Sequence, residues 1–155
     1  LRADLVPDEQ GLVRYGQLYA VQPFGNQLVI KTFTGAQIRA VLEQQFASGG
    51  NTVQRPRVLS VSSGFSYRYD LSQPAGGRIS HMVLNGAPVT DTQSVRVVMS
   101  SFLDSGGDNF TVLTQGQDRR VGELDLDALE AYFRLQSPVA PLATHRITRV
   151  VPAAR

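Results

Sequence analysis

The spacing of apolar positions in the first third of the chain predicts a helix, a strand and a second helix. Tyr15–Val21 forms a short apolar segment that Pro23 would end, which predicts a helix. The β-branched, apolar run Leu28–Phe33 predicts a strand. Thr34, with Gln37 three residues later, forms a capping-box signature for a second helix. The apolar face of that helix would consist of Ile38, Val41, Leu42 and Phe46.

Strand patterns dominate the rest of the chain. Val58–Asp70 alternates around Gly64, which predicts a strand interrupted by a bulge or by close backbone approach to a ligand. Further elements are predicted as strands over Ile79–Leu84, Val95–Met99 and His145–Val151, and as a helix over Leu124–Leu135. Strands outnumber helices and do not alternate strictly with them. The sequence therefore predicts an α+β fold, a single compact domain with a mixed, largely antiparallel sheet and packed helices.

Composition excludes several classes of protein. The chain has 155 residues, of which 42% are hydrophobic and 18% are charged, so it can bury a core as one domain. No apolar run approaches the ~20 residues that a membrane-spanning helix needs, so we expect no membrane span. The absence of cysteine excludes disulfide scaffolds, thiolate zinc sites and cysteine nucleophiles.

Almost all of the cationic side chains are arginines, and they are scattered along the chain. Fourteen arginines and one lysine, Lys31, oppose thirteen acidic residues, for a formal net charge of +2. The arginines are scattered, and their densest groups are the pairs Arg55/Arg57 and Arg119/Arg120. No continuous basic stripe follows from this distribution, so binding to a nucleic-acid polymer is disfavoured.

The segment from Ser101 to Phe110 is the first candidate for ligand binding. Gly106 and Gly107 would let the backbone approach a ligand closely, Asp108 could accept hydrogen bonds from a diol, and Phe102 offers a flat apolar face. These residue types suit a nucleoside. The alternative is a tight turn in which Asp108 caps its own backbone and Phe102 packs in the core.

A second candidate precedes the first predicted strand. Phe24 lies between Pro23 and Gly25 on a loop, where it could stack on a planar ligand. The alternative is that Phe24 covers the core as a lid. Arg2 could make bidentate contacts with a phosphate, although a solvated terminus explains an arginine there equally well.

Other catalytic arrangements find no support in the sequence. His81 and His145 lie far apart and show no metal-ligand spacing with the carboxylates. No Gly-x-Ser-x-Gly motif is present, which disfavours a triad hydrolase. Glu43 and Glu130 are expected on the solvated faces of helices rather than as an acid and base pair.

Six groups of residues follow one another in a familiar order along almost the whole chain. They are Leu1-Arg2, Pro23-Phe24-Gly25-Asn26, Thr34-Gly35 with Leu42-Glu43, Ser62-Ser63-Gly64 with Tyr69-Asp70, Gly77-Arg78-Ile79, and Phe102-Leu103 with Gly106-Gly107-Asp108-Asn109-Phe110. In this order and at this spacing the chain resembles the C-terminal domain of the 5'-nucleotidase and UDP-sugar hydrolase family.

The resemblance implies that residues 1–155 form a substrate-binding domain for a nucleotide or nucleoside. In such proteins an N-terminal metallophosphoesterase domain, absent from this chain, holds two divalent metal ions and performs the hydrolysis. No cofactor and no catalytic residue are expected in this chain, which by itself should be inactive. An extracytoplasmic location is implied in the same way.

The resemblance also implies roles for individual residues. Phe24 and Phe102 would sandwich the base, Asp108 would bind the ribose hydroxyls, Gly64 would let a strand pass close to the base, and Arg2 would contact the phosphates. The substrate-binding set is completed by Asn26.

Three positions depart from the usual pattern of the family. Gln22 stands where leucine is common, and Asp104 and Ser105 replace a common Ala-Asn pair, so the base and sugar preferences stay open. The alternative function is a non-catalytic interaction or dimerisation module that keeps the fold without the pocket. The two readings differ in whether the rings of Phe24 and Phe102 meet Asp108 at one open cleft.

Overall fold

The computed structural model describes residues 4–140 and 145–151, which contain four helices and seven strands. The helices are α1 (Tyr15–Val21), α2 (Gly35–Gln44), α3 (Ser101–Asp104) and α4 (Asp125–Gln136). The strands are β1 (Gln27–Thr34), β2 (Phe65–Tyr69), β3 (Ile79–Leu84), β4 (Ala87–Pro88), β5 (Ser94–Ser100), β6 (Gln117–Leu124) and β7 (Ile147–Arg149). Two short 3-10 helices cover Gly107–Asn109 and Thr111–Gln115. The predicted α+β class is confirmed.

The strands form two sheets, whereas the sequence predicted one. The first sheet has the order β5-β1-β6, and both of its pairings are antiparallel, with Val29 of β1 opposite Met99 of β5 and Val121 of β6. The second sheet has the order β4-β3-β2-β7 and is antiparallel except for the parallel pair of β2 and β7. The predominance of antiparallel pairing agrees with the prediction.

The core lies between the first sheet, α2 and the second sheet. Alternate residues of β1 are buried, as expected for a strand with one face on the core. Helix α2 contributes its predicted apolar face, and Thr34 caps its start by accepting a hydrogen bond from the backbone N–H of Gln37 (3.2 Å). The largest fully buried side chains are those of Tyr67, Phe33, Phe46, Phe110, Gln45, Val29 and Asn51.

The expectation that Glu43 faces solvent was wrong. Its carboxylate is buried and accepts hydrogen bonds from the backbone N–H groups of Ile79 (2.8 Å) and Gly76 (3.0 Å). These donors precede or begin β3, where the ladder leaves them without a partner, so a buried acceptor on α2 satisfies them. Glu130, by contrast, is partly exposed and forms an i,i+4 ion pair with Arg134 (2.6 Å).

Two predicted strands are shorter than expected. Only Phe65–Tyr69 of the region Val58–Asp70 is a strand, and only Ile147–Arg149 of the region His145–Val151. The segment before Gly64 forms no strand: the backbone N–H of Leu59 donates to the side chain of Gln45, just beyond α2, and the carbonyl of Val61 accepts from the side chain of Arg146. None of the helices among residues 4–140 and 145–151 has the length and apolar character required to cross a bilayer.

Candidate functional site

Phe24 is presented to solvent by the loop between α1 and β1. Pro23 follows the end of α1, and Gly25 has φ +61°, a left-handed conformation that favours glycine. The Phe24 side chain is 59% exposed, so it is not a lid packed into the core. The loop is anchored at Asn26, whose carbonyl accepts a hydrogen bond from the backbone N–H of Asp125 (2.8 Å).

Phe102 lies on α3, the short helix that follows β5. Ser100 caps this helix by accepting a hydrogen bond from the backbone N–H of Leu103 (3.3 Å). The Phe102 ring is 48% exposed. A Cβ at Gly107 would lie 2.6 Å from both the ring and the carbonyl oxygen of Phe102, so glycine is required there by the close approach of Phe102.

A hydrogen bond links the two segments that carry the phenylalanines. The hydroxyl of Ser101 on α3 donates to Oδ1 of Asn26 (3.3 Å) and accepts from the backbone N–H of Gln27 (3.2 Å). Residues 75 positions apart in sequence thereby hold the Phe24 loop against the start of α3. Chain separation of this size explains why no local pattern revealed the contact.

Helix α3 is also held in place by a buried cluster of charged side chains. Asp104 is buried and pairs with Lys31 of β1 (Nζ to Oδ1, 2.6 Å) and with Arg119 of β6 (Nε to Oδ2, 2.8 Å). Burial by itself would raise the pKa of Asp104, but the hydrogen bonds and charges of Lys31 and Arg119 outweigh it and hold the pKa below 3.8. Asp104 therefore has a structural partner in Lys31, the only lysine of the chain.

Asp108 occupies a strained loop that is docked onto the end of α2. Its φ is +53°, and that of Asn109 is +65°. The carbonyl of Asp108 accepts a hydrogen bond from Nδ2 of Asn51 (2.8 Å), and the carbonyl of Asn109 accepts one from Oγ of Ser48 (2.6 Å). The carboxylate of Asp108 does not cap the backbone of its own turn but pairs with Arg57 (Nη1 to Oδ1, 2.7 Å).

These segments enclose a cleft of about 660 Å³ that brings together four of the six residues assigned to substrate binding. Both phenylalanine rings, Asn26 and Asp108 line it. The complete lining is Gln22, Phe24, Asn26, Leu59, Ser100, Phe102, Leu103, Asp108 and Asp125. Two solvent-exposed rings, an amide and a carboxylate at one cleft provide stacking surfaces and hydrogen-bonding groups for a planar ligand with hydroxyls.

Gly64 and Arg2 are not part of this grouping. Gly64 has φ +94° and does not line the cleft; a Cβ there would lie 2.5 Å from Oδ1 of Asn85. The Gly64 carbonyl also accepts a hydrogen bond from the backbone N–H of Asn85 (2.7 Å). The close backbone approach inferred from the sequence therefore involves Asn85, and a role for Gly64 in binding stays a prediction. Arg2 lies outside the described residues.

Sequence reasoning missed three residues at the cleft. Leu59 and Asp125 line it, and Arg57 contacts Asp108. Asp125 is the first residue of α4, with Leu124 at the cap position; it is only 6% exposed, and its Oδ1 lacks a hydrogen-bond partner among the described residues. Its position, directly after the predicted start of a helix, was the one available signal.

The loop carrying Arg57 and Leu59 is fixed by Gln45, which is fully buried just beyond α2. The Gln45 carbonyl accepts a hydrogen bond from the backbone N–H of Arg57 (3.1 Å), and its Oε1 accepts one from that of Leu59 (2.8 Å). Gln45 Nε2 donates a hydrogen bond to the hydroxyl of Tyr67 (3.1 Å), and this hydroxyl donates to Oε1 of Gln45 (3.2 Å). Burial raises the pKa of Tyr67 to about 12, so the hydroxyl stays protonated even in moderately alkaline solution.

A larger groove lies elsewhere on the surface. It has a volume of about 1050 Å³ and contains none of the residues assigned to substrate binding. The lining residues are mainly apolar and come from the segment before α1, from α1, from α4 and from the residues after α4. Phe133 of α4 and Leu12 before α1 are representative.

Metal-binding side chains are not grouped in the described part of the chain. Residues 4–140 and 145–151 contain no cluster of three or more His, Asp or Glu side chains positioned to hold a metal ion. These residues therefore do not fit a dimetal centre, and a two-metal mechanism would require ligands from outside them.

Comparison with known proteins gives a consistent result. The family described as "5'-nucleotidase, C-terminal domain" matches residues 1–115. A 5'-nucleotidase-related protein of Glossina morsitans morsitans is 34% identical over 148 residues, which cover 90% of this chain and 26% of that protein. A cell wall protein of Listeria monocytogenes is 29% identical over 147 residues, covering 93% of this chain and 18% of that protein.

A solved structure shares both fold and sequence. The crystal structure of a 5'-nucleotidase precursor from Thermus thermophilus superposes with a TM-score of 0.75 and 34% identity, covering 89% of this chain and 28% of that chain. The chain thus spans about a quarter of the length of this structure and of the Glossina relative.

Proposed function

Because the chain belongs to the family of 5'-nucleotidase C-terminal domains, we propose that it binds the nucleoside part of a nucleotide that a parent phosphohydrolase cleaves. The observation that carries this proposal is the convergence of Phe24, Asn26, Phe102 and Asp108 on one open cleft. Phe24 and Phe102 lie 78 positions apart in sequence, so their meeting is a property of the tertiary fold.

In this proposal the base stacks between Phe24 and Phe102. Both rings are about half exposed, which leaves apolar surface uncovered on a loop and on α3, two segments that a hydrogen bond holds together. A flat heterocycle would cover that surface, and stacking on an aromatic side chain contributes about 1–3 kcal/mol per base. Asn26, at the edge of the same cleft, supplies both a donor and an acceptor for the base.

Asp108 would accept hydrogen bonds from the ribose hydroxyls. An ionised carboxylate is an acceptor with about four lone-pair sites, so it can serve two neighbouring hydroxyls at once. The left-handed backbone at Asp108 and the hydrogen bond from Asn51 to its carbonyl restrict where the carboxylate can lie. Such fixed positioning favours a diol at a defined distance from the stacked base.

Hydrolysis itself belongs to the proposed metallophosphoesterase domain of the parent protein, with its two divalent metal ions. Those ions would activate a water and polarise the phosphate there. This chain would contribute binding energy from the nucleoside, far from the reacting bond, and so position the phosphate. Arg2 is proposed to contact the phosphate. The 155-residue chain alone is expected to be inactive.

An extracytoplasmic location is part of the proposal. It is supported by the relative of Listeria monocytogenes that is named a cell wall protein. Fusion of the full-length parent protein to a reporter that is active only outside the cytoplasm would test it. A fusion protein that accumulates in the cell without reporter activity would contradict this part of the proposal alone.

Titration of the isotope-labelled 155-residue chain with adenosine, uridine and AMP tests the binding function. We expect chemical-shift changes at residues 22–26 and 100–110, with dissociation constants in the micromolar to millimolar range. Residues around the larger groove, such as Leu12, serve as an internal control. A folded chain with no shift at millimolar concentrations of any of the three ligands would overturn the proposal.

The second candidate is an interaction or dimerisation module without ligand binding. The apolar groove between the segment before α1 and α4 is the observation that favours it. A chain that binds no nucleoside but forms a dimer in size-exclusion chromatography with light scattering would support this candidate. A monomer that binds nucleosides would contradict it.

A further inference from the structure

Arg57 contacts the carboxylate of Asp108, which is proposed to bind the sugar hydroxyls. Its Nη1 lies 2.7 Å from Oδ1 of Asp108, a distance typical of a charge-assisted hydrogen bond. Arg57 belongs to the irregular segment between α2 and β2, about fifty residues before Asp108. Nothing in the sequence pattern distinguishes it from the other scattered arginines.

The backbone on both sides of this pair is fixed. The N–H of Arg57 donates to the carbonyl of the buried Gln45 (3.1 Å), and the carbonyl of Asp108 accepts from Asn51 (2.8 Å). Asn51 is itself buried and donates to the carbonyl of Gln44 (3.1 Å). Both residues are thus attached to the end of α2, so their relative position does not depend on a mobile loop.

The ion pair cannot be explained as a source of stability. The side chains of Arg57 and Asp108 are 57% and 36% exposed, and pairs at such exposure contribute little to the free energy of folding. What the pair does is to restrict the rotation of the Asp108 side chain. One carboxylate oxygen is directed to Arg57, and the remaining lone pairs are left for a ligand at the cleft.

We propose that Arg57 is a positioning residue for sugar recognition: it holds Asp108 in the orientation that accepts hydrogen bonds from a cis-diol and thereby sets the preference for ribose over deoxyribose. This inference rests on the proposed nucleoside-binding function. An immobilised side chain binds with a smaller loss of conformational entropy than a free one. The benefit appears only for ligands that use Asp108, and a nucleoside without a 2'-hydroxyl or 3'-hydroxyl gains less.

The test compares the binding of neutral nucleosides, so that loss of a positive charge does not by itself change affinity. The dissociation constants of adenosine, 2'-deoxyadenosine, 3'-deoxyadenosine, uridine and 2'-deoxyuridine are measured for the 155-residue chain by NMR titration. The variants are Arg57→Ala, Arg57→Gln and Arg57→Lys. Arg55→Ala is the matched control, because Arg55 is exposed, lies two residues away and makes no side-chain hydrogen bond or ion pair with the described residues.

We expect Arg57→Ala and Arg57→Gln to reduce the ribose-over-deoxyribose preference by about two- to tenfold, mainly through weaker ribonucleoside binding. Arg57→Lys should restore part of the preference, and Arg55→Ala should retain all of it. A dispersed NMR spectrum of each variant establishes that it is folded, and Arg57→Gln carries the test if the alanine variant is not.

Several results would overturn the inference. An unchanged preference in folded Arg57 variants, or tighter ribonucleoside binding by them, would show that Arg57 does not orient Asp108 for a ligand, while the proposed function would stand. Equal binding of ribo- and deoxyribonucleosides by the wild type would also overturn it. If the wild type binds no nucleoside, the proposed function fails first and this inference fails with it.

Discussion

The Nζ of Lys31 lies 2.6 Å from Oδ1 of Asp104, and both side chains are almost fully buried. This pair connects the central strand β1 of the first sheet to α3, the helix that carries Phe102. Lys31 also donates a hydrogen bond to the carbonyl of Leu113 (3.0 Å). One side of the cleft is thereby attached to the core through charged rather than apolar groups.

Replacing Lys31 by methionine should destabilise the fold by about 3 kcal/mol, because it leaves a buried carboxylate with one partner fewer. The expected value is at the low end for a broken buried pair since Arg119 still contacts Asp104. Urea denaturation followed by circular dichroism gives the free energy of unfolding. The double variant Lys31→Met with Asp104→Leu should be more stable than Lys31→Met alone, and a less stable double variant would contradict this account.

Acid should weaken the fold through Asp104. Its folded pKa lies below the ordinary value of 3.8, so its ionised form stabilises the folded state; this contribution is present above pH 3.8 and is lost as the pH falls through the folded pKa. Urea midpoints at pH 5 and pH 3 should therefore differ less in Asp104→Asn than in the wild type. Asp8 and Asp70, whose pKa values are lowered by hydrogen bonds, chiefly from Leu12 and Ser72, contribute equally to both proteins. Equal pH dependence in the two proteins would exclude this role.

Removing the ring of Phe24 should weaken nucleoside binding without unfolding the domain. If the ring stacks on the base, Phe24→Ala costs about 1–3 kcal/mol of adenosine binding. The free energy of unfolding should change by less than about 0.5 kcal/mol, since the side chain is mostly exposed. Tyr19→Ala is the control, because Tyr19 is an exposed aromatic on α1 that does not line the cleft. Equal losses in the two variants would argue against stacking.

A methyl group at Gly107 should displace Phe102. The added Cβ would lie 2.6 Å from the ring and from the carbonyl oxygen of Phe102, so either the helix or the loop must move. We expect Gly107→Ala to destabilise the fold by about 1–3 kcal/mol and to weaken adenosine binding as well. Gly50→Ala is the control, since a Cβ there has no heavy atom within 4 Å. Wild-type binding by a folded Gly107→Ala variant would show that the position of Phe102 is unimportant.

Strong periodicity made the central elements predictable. The strands β1, β3 and β5 agree with their predicted bounds to within one residue at each end, and α2 begins after Thr34 as predicted, because apolar side chains at regular spacing there face one core. Strand β6 was not predicted. Every residue of β6 is exposed, so burial imposes no alternation that a sequence pattern could show.

Buried polar groups were the main source of error at the level of single residues. Glu43 was expected in solvent because carboxylates are mostly exposed, yet it accepts hydrogen bonds from backbone groups of a distant segment. Asp104 was recognised as an unusual residue, but its partner Lys31 could not be identified from 73 positions away. Such pairings depend on how strands are ordered in space.

By itself, the sequence determined the α+β class, the family resemblance and four of the residues that line the cleft, Phe24, Asn26, Phe102 and Asp108. The fold class follows from patterns within about ten residues, where backbone geometry fixes what lies on one face, and the resemblance follows from the order of short motifs along the chain. Only the tertiary structure decided that Phe24 and Phe102 reach the same cleft, that Gly64 approaches Asn85, and that Arg57 faces Asp108. Contacts between residues far apart in the chain depend on sheet order and loop docking, which the cooperative packing of the whole domain selects.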